Sequence, residues 1–475
     1  MTRPNLLYIH SDQHSPKVLG CYGDPLVQTP HLDALAAQGI RFNNAYCPSP
    51  VCTPSRMSML TGRYPYENEV WTNHHILDSG RPTLAHAMGA AGYHPVLIGR
   101  MHALGTDQLH GYVDRPIGDH SSNYPGKGDA PGNLIQSVQK SGAGQSSYEV
   151  HDEDVTASAV DFINREGIKK RSGQTDTPFC LHVGYMLPHS PYIARKADYD
   201  QYIDVITPPK HPKPMGDESH PFFQWWRKRN RFLEIDDADT TRARAAYWAL
   251  VTAMDRMIGQ ILEALERNGF TQNTMIVYSS DHGEHVGEKA LWMKRTFYEE
   301  SVRVPAIISW PDALPKGQVN NRVISALDLN ATMLDALGAP ELPYSRGRSL
   351  LPLLRGEVDT WEDIAFSEYC IYEGHYQRMI RQGDWKLIYY HGYDPQLFNL
   401  SEDPEEIHNR ADDEDCQAIR EELTAKVLDG WDPEWVAEKM LEKRRDLEVI
   451  REWASATNAP EQFKWPQTSQ MTYLD

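Results

Sequence analysis

Short apolar runs that stop abruptly on polar residues recur along this chain, and they constrain its fold more than any other feature. Asn5 to Ser11 stops at Asp12-Gln13-His14, Pro95 to Gly99 at Arg100-Met101-His102, and Thr274 to Ser280 at Asp281-His282-Gly283. Phe179 to Tyr185 leads into Leu187-Pro188-His189-Ser190-Pro191. Bulky apolar runs this short read as buried strands. Between them lie segments with helical spacing. Thr29 to Gly39 has Thr29 as N-cap, Pro30 at the first position and Gly39 as the stop. Thr83 to Gly92 and Asp152 to Glu166 follow. Thr240 to Gly269, the longest expected helix, carries Tyr247, Leu250, Val251, Met254, Ile258, Ile261 and Leu265 at helical spacing. With further strands at Val304 to Trp310 and Val323 to Leu327, the alternation predicts an α/β fold: a mostly parallel central sheet with helices on both faces. Ligands gather at the C-terminal ends of strands in such sheets, where these polar residues fall.

Near Thr360 the pattern changes. Ile364 to Tyr369, Tyr376 to Arg381 and Trp385 to Tyr390 read as antiparallel strands, with Leu397 to Asn399, an acidic segment and a charged helix at about 415 to 429 after them. This divides the chain into a catalytic α/β domain, 1–360, and a smaller C-terminal α+β subdomain with its tail, 361–475. Gly111 to Tyr148 and Ile206 to Asp236 are rich in turn formers and read as surface insertions. Trp225 and Trp226 in the second suit a cationic or sugar ligand, though core is the better reading for them. The tail holds Trp465 and Tyr473, aromatic residues suited to packing across a subunit boundary in a homo-oligomer.

A chain of 475 residues can bury a large core. Lys and Arg number 47 against 66 Asp and Glu, a formal net charge of −19 that repels nucleic acid and anionic membranes at long range. No apolar run approaches the ~18 residues of a membrane span, and the first residues turn polar too quickly for a signal peptide. The expected location is cytoplasmic, with neither nucleic acid nor membrane as a partner. Six cysteines (21, 47, 52, 180, 370 and 416) lack Cys-x-x-Cys spacing, which argues for reduced thiols over disulfides or a zinc ribbon.

Cys52-Thr53-Pro54-Ser55-Arg56 concentrates chemistry in one place. Pro54 fits the first turn of a helix, so Cys52 sits at a helix N-terminus, where free N–H groups and the helix dipole favour an anion, and Arg56 adds a fixed charge one turn on. Seen singly, such a cysteine is more often a buried core residue. Followed by Leu60-Thr61-Gly62-Arg63, however, the run resembles the signature of the type I sulfatases of the alkaline phosphatase-like superfamily.

That resemblance extends from about Pro4 to Pro404 and implies a set of roles. Cys52 would be oxidised to formylglycine by a maturation enzyme. One divalent metal would be held by Asp12, Gln13, Asp281, His282 and an oxygen of modified Cys52, with Ca²⁺ ahead of Mn²⁺ or Mg²⁺. Arg56 and His102 would orient the formylglycine, and Asn73, Arg100, His189 and Lys294 would hold the sulfate of a small sulfated substrate. His189 or Lys294 would protonate the departing oxygen, and His102 would deprotonate the second hydroxyl of the aldehyde hydrate. Many sulfatases have Asp-Asp at Asp12-Gln13, Asp-Asn at Asp281-His282 and lysine at Arg100. The first two departures, Asp-Gln and Asp-His, are similar to the branch of choline sulfatases and phosphonate monoester hydrolases. The leading expectation is therefore a sulfuric ester hydrolase. The rivals are a phosphonate monoester or phosphodiester hydrolase with the same centre, and an unmodified, non-catalytic anion-binding protein.

Overall fold

The expected strands form, and most of them join a single sheet. In the computed structural model, which describes residues 3–124, 134–174, 177–372 and 374–475, the strands run in chain order as follows. They are β1 (Asn5–Asp12), β2 (Ile40–Tyr46), β3 (Pro95–Gly99), β4 (Gly142–Gln145), β5 (Cys180–Pro188), β6 (Ile193–Ala194), β7 (Thr274–Ser280), β8 (Arg303–Ser309), β9 (Gln318–Ser325), β10 (Ile364–Ile371), β11 (His375–Gln382), β12 (Trp385–Tyr390), β13 (Tyr393–Asn399) and β14 (Tyr473–Leu474). Seven of them make the central sheet in the order β3-β5-β1-β7-β8-β2-β9. Only β8 runs against its neighbours. Every residue of β1, β3, β5 and β7 is buried, as strands covered on both faces must be. The covering helices include Ser147–Arg171 and the 31-residue Asp237–Arg267, which pack on β5, and Ala326–Leu337, which packs on β1 and β7.

Beyond it, β10 to β13 form an antiparallel meander. Its buried Lys386 donates to Glu299 at 2.8 Å and pairs with Glu406, tying this sheet to the segment leading into β8.

Three expectations need correction. Val323 to Leu327 is not one strand: Ser325 ends β9 and caps the next helix, its Oγ accepting the Leu327 N–H at 3.2 Å, so Leu327 is helical. Gly111 to Tyr148 is not a surface insertion where it is described. Tyr112, Arg115, Asp119 and Asn123 are buried because their polar groups find partners inside, which composition alone does not reveal; residues 125–133 lie outside the described residues. Trp465 packs within its own chain, its ring stacked on His120 and its Nε1 donating to Asp154 at 2.9 Å. In the other insertion, Trp226 is core at 1% exposure, while half-buried Trp225 lies against His375.

Candidate active site

The sheet order sets four strand exits side by side. Arg100 to His102 follow β3, His189 follows β5, Asp12 and Gln13 close β1, and Asp281 and His282 follow β7. Ser11 pairs with Ser280, so Asp12 and Asp281 leave the sheet as neighbours. The Gln13 N–H donates to Asp281 Oδ1 at 3.0 Å and the His14 N–H to Ser280 Oγ at 2.9 Å. This closure requires φ +66° at Gln13, a left-handed conformation that costs a non-glycine residue and gathers at functional sites.

Cys52 begins the helix Cys52–Thr61, all ten residues of which are buried. Gly62 ends it at φ +72°, and Ser55 Oγ fastens it to the β7 exit by donating to Asp281 O at 2.6 Å. Asn73 Oδ1 accepts the Thr53 N–H at 2.9 Å, so Asn73 sits against the helix N-terminus.

Cys52 Sγ lies 3.2 Å from His282 Nε2 and 3.8 Å from Asp12 Oδ1. One atom each from Asp12, Cys52, Asp281 and His282 falls within 4.8 Å of the others, and all four residues are buried. His282 Nδ1 donates to Gly283 O at 3.1 Å, so Nε2 faces this cluster and is the nitrogen that would give its lone pair to a cation once its proton is lost. Two carboxylates and an imidazole nitrogen, with the Gln13 amide in the adjoining turn and an oxygen replacing Sγ, make a donor set that fits one divalent cation of the Ca²⁺, Mg²⁺ or Mn²⁺ kind.

Cations surround the cluster. Arg56 Nε donates to Asp281 at 2.8 Å, and its Nη2 to Asp12 at 3.3 Å and Ser11 O at 3.1 Å. Arg100 also donates to Asp12 through Nε and reaches Ser121 Oγ at 2.9 Å and Asp119 at 3.3 Å through Nη1. Its Nη2 donates to His102 Nδ1 at 2.8 Å. A guanidinium has no acceptor, so a neutral His102 carries its proton on Nε2, the nitrogen left for Cys52. Lys294 donates to Gln13 Oε1 and to His189 Nε2 at 2.9 Å. His189 Nδ1 donates to Ser190 O at 2.5 Å, which makes Nε2 the acceptor and leaves the shared proton on Lys294. Burial alone would raise the Cys52 thiol, but Lys294 and the N–H of His102 hold it well below the ordinary thiol range. Against the same burial, Arg100 and Arg56 hold Asp12 well below the usual carboxylate range.

All eleven residues expected from the sequence therefore lie in or beside one buried centre, with Asn73 at its edge. Among the supporting carboxylates that were not foreseen are Glu284 and Asp152. Glu284 accepts from Gln13 Nε2 and from the N–H groups of Val286 (2.9 Å) and Met293 (2.7 Å). Asp152 accepts from the N–H groups of Met186 and Leu187, pinning the turn that carries His189. Glu284 lies in the run that follows β7, but nothing there marks it as a support for Gln13, and Asp152, inside a helix, has no local sign at all.

The sulfatase family profile matches residues 4–339, and the C-terminal profile of N-sulphoglucosamine sulphohydrolase matches residues 287–431. The choline-sulfatase of Rhizobium meliloti is 33% identical over 89% of this chain and 85% of its own length. The N-acetylglucosamine-6-O-sulfatase of Bacteroides thetaiotaomicron is 26% identical over 86% of this chain and 82% of its own. The phosphonate monoester hydrolase of Agrobacterium radiobacter shares the fold, with a TM-score of 0.74 at 23% identity over 94% of this chain and 96% of that one. The profile match, the choline-sulfatase identity and the shared fold agree: this chain belongs to the sulfatase family, the sulfuric ester hydrolases of the alkaline phosphatase-like superfamily.

Proposed function

We propose that the enzyme hydrolyses the sulfate monoester of a small organic molecule or sugar, with oxidised Cys52 as nucleophile. The observation that carries this reading is the convergence of Asp12, Cys52, Asp281 and His282, from three distant segments, within 4.8 Å. In place of Sγ the reading sets an oxygen of formylglycine hydrate, made by a maturation enzyme. Asp12, Gln13, Asp281 and His282 would hold the divalent cation, with Ca²⁺ favoured, which when bound acidifies the attacking hydroxyl and neutralises sulfate charge. The hydrate supplies two hydroxyls on one carbon, one to attack sulfur and one whose oxygen later expels sulfate.

The chain's own residues supply the rest. Arg100, whose Nη2 keeps one N–H beyond its bond to the half-buried His102, offers that donor and its charge where negative charge builds on the sulfate oxygens, and Lys294 adds a second cation. Among the described residues, Gln13 and His189 are the hydrogen-bond partners of Lys294. The third N–H of Lys294 is then free for the departing alcohol oxygen, which favours Lys294 over His189 as the acid. Having lost that proton, the Lys294–His189 pair is the base that takes one back from residue 52. His102, whose Nδ1 is occupied by Arg100, suits donation to residue 52 better than the base role expected from the family pattern.

Phosphonate monoester or phosphodiester hydrolysis is the second reading, favoured by the Asp-Gln and Asp-His pairs and by the fold shared with a phosphonate monoester hydrolase. Six unpaired thiols suit a reducing compartment such as the cytoplasm. Among the described residues no helix is long and apolar enough to cross a membrane.

The test has two parts. Peptide mass spectrometry of enzyme from its native host should find an aldehyde at residue 52, and that enzyme should turn over aryl sulfates faster than aryl phosphonates. An intact thiol in active protein would remove the nucleophile from this scheme, and faster phosphonate turnover would promote the second reading.

A further inference from the structure

Asp119 lies in the stretch that composition assigns to a surface loop, yet it is 2% exposed and spends both oxygens on the site. Its Oδ2 accepts the N–H groups of Met101 at 3.0 Å and His102 at 2.6 Å, and its Oδ1 accepts from Arg100 Nη1 at 3.3 Å and from the Ser121 N–H at 3.0 Å. Arg115 Nη2 lies 3.5 Å from Oδ2. Although burial would raise this carboxyl, Arg100 and then Arg115 hold it well below the usual range, so it remains a charged acceptor.

Its two N–H contacts fall on the backbone leading into His102, which stands at φ +59°, a conformation that needs outside support in a residue with a Cβ. The loop is anchored in turn, since Asp119 O accepts the Trp465 N–H at 2.8 Å and Gly118 O accepts from His151 Nε2 at 3.0 Å.

We propose that Asp119, backed by Ser121, is the positioning residue for the sulfate-facing side of the site. One carboxylate fixes the Arg100 guanidinium and the His102 backbone together. Through the Arg100 to His102 bond it also selects the imidazole nitrogen that faces residue 52. Asp119 touches neither the metal cluster nor any reacting atom. The proposal rests on the sulfatase reading above.

The experiment is a double-mutant cycle on fully oxidised enzyme with an aryl sulfate. Asp119→Asn keeps the shape but replaces one acceptor with a donor, and it should lower kcat by about 100-fold with little change in KM, as loss of an outer-shell partner does. If Asp119 acts through Arg100, the Arg100→Ala/Asp119→Asn double variant should be at least roughly tenfold more active than the product of the single losses predicts. Losses that simply multiply, or an Asp119→Asn variant with undiminished kcat, overturn the proposal. Should Asp119→Asn not fold, Ser121→Ala removes only the hydroxyl that accepts from Arg100. It should cost roughly 3- to 10-fold in kcat at unchanged Tm, and full activity there is equally decisive against the role. A wild-type enzyme without sulfatase turnover would instead refute the reading on which this rests.

Discussion

Replacing Arg56 with methionine isolates what the buried guanidinium does. At 2% exposure it bonds Asp281, Asp12 and the carbonyls of Ser11 and Arg100. Methionine retains much of the stem and none of the charge, so Asp12 and Asp281 are left facing one another with less compensation. Breaking a buried ion pair by removing one partner costs about 3–5 kcal/mol. Arg100 still pairs with Asp12, which points to the lower end. Urea unfolding of EDTA-treated protein should therefore show Arg56→Met about 3 kcal/mol less stable than wild type, a factor of about 10² in the unfolding equilibrium. Ca²⁺ or Mn²⁺ should then restore more stability to the variant than it adds to wild type, because the site has lost one positive charge. A ligand at 100 times its Kd contributes about 2.7 kcal/mol. The reasoning is refuted if the variant lies within about 1 kcal/mol of wild type in EDTA, or if the cation stabilises both proteins equally.

Three further outcomes test other parts of the site and its surroundings. His282→Ala should weaken Mn²⁺ and Ca²⁺ binding by calorimetry at least as much as the 10- to 100-fold typical of an outer-shell partner; unchanged affinity would remove His282 from the ligand set. Glu284→Gln puts an NH₂ group opposite either the Gln13 amide or the N–H groups of Val286 and Met293, which favours inversion of Gln13 and loss of its bond from Lys294. We expect kcat to fall about 10- to 100-fold, and wild-type kcat would show that Glu284 does not orient that amide. Glu149 is 1% exposed, its Oε2 finds no hydrogen-bond partner among the described residues, and burial raises its pKa to about 7 despite Arg195. Because the folded pKa is the higher one, its protonated form stabilises at low pH and that contribution is lost as pH rises through 7. Glu149→Gln should therefore gain about 3 kcal/mol on wild type at pH 8 and nothing near pH 4; a variant less stable than wild type at pH 8 contradicts this.

The strand exits were legible because a strand buried on both faces must stay apolar until it leaves the sheet, so Asp12, Arg100 and Asp281 mark where β1, β3 and β7 end. Cys52 was legible because Pro54 and Gly62 punctuate its helix at either end. What stayed hidden depends on contacts across space. Nothing near Asp119 separates it from an aspartate in an ordinary polar turn, since its worth comes from two N–H groups and a guanidinium supplied by residues 100 to 102. The proton positions are hidden in the same way. Arg100 decides which nitrogen of His102 is protonated, and Lys294 with Ser190 decides it for His189. Residue types identified these histidines as participants, but their hydrogen-bond partners assign donor and acceptor.

The same contrast between total and local quantities resolves an apparent conflict over charge. A chain at −19 should repel a sulfate ester, yet at its centre Arg56 and Arg100 pair with the carboxylates of Asp12 and Asp281, and Lys294 stands on Gln13 beside them, so the acids there are offset before any cation binds. Exposed charges more than about 8 Å away are largely screened at physiological ionic strength, whereas these groups are buried and act at 2.8 to 3.3 Å. A bound divalent cation adds positive charge where the sulfate oxygens must sit. The acidic exterior then discourages nucleic acid and other polyanions without weakening the grip on a small ester that reaches the pocket. Recognition of the anion is therefore set by five side chains at the ends of neighbouring elements, and the surface charge governs only which anions arrive.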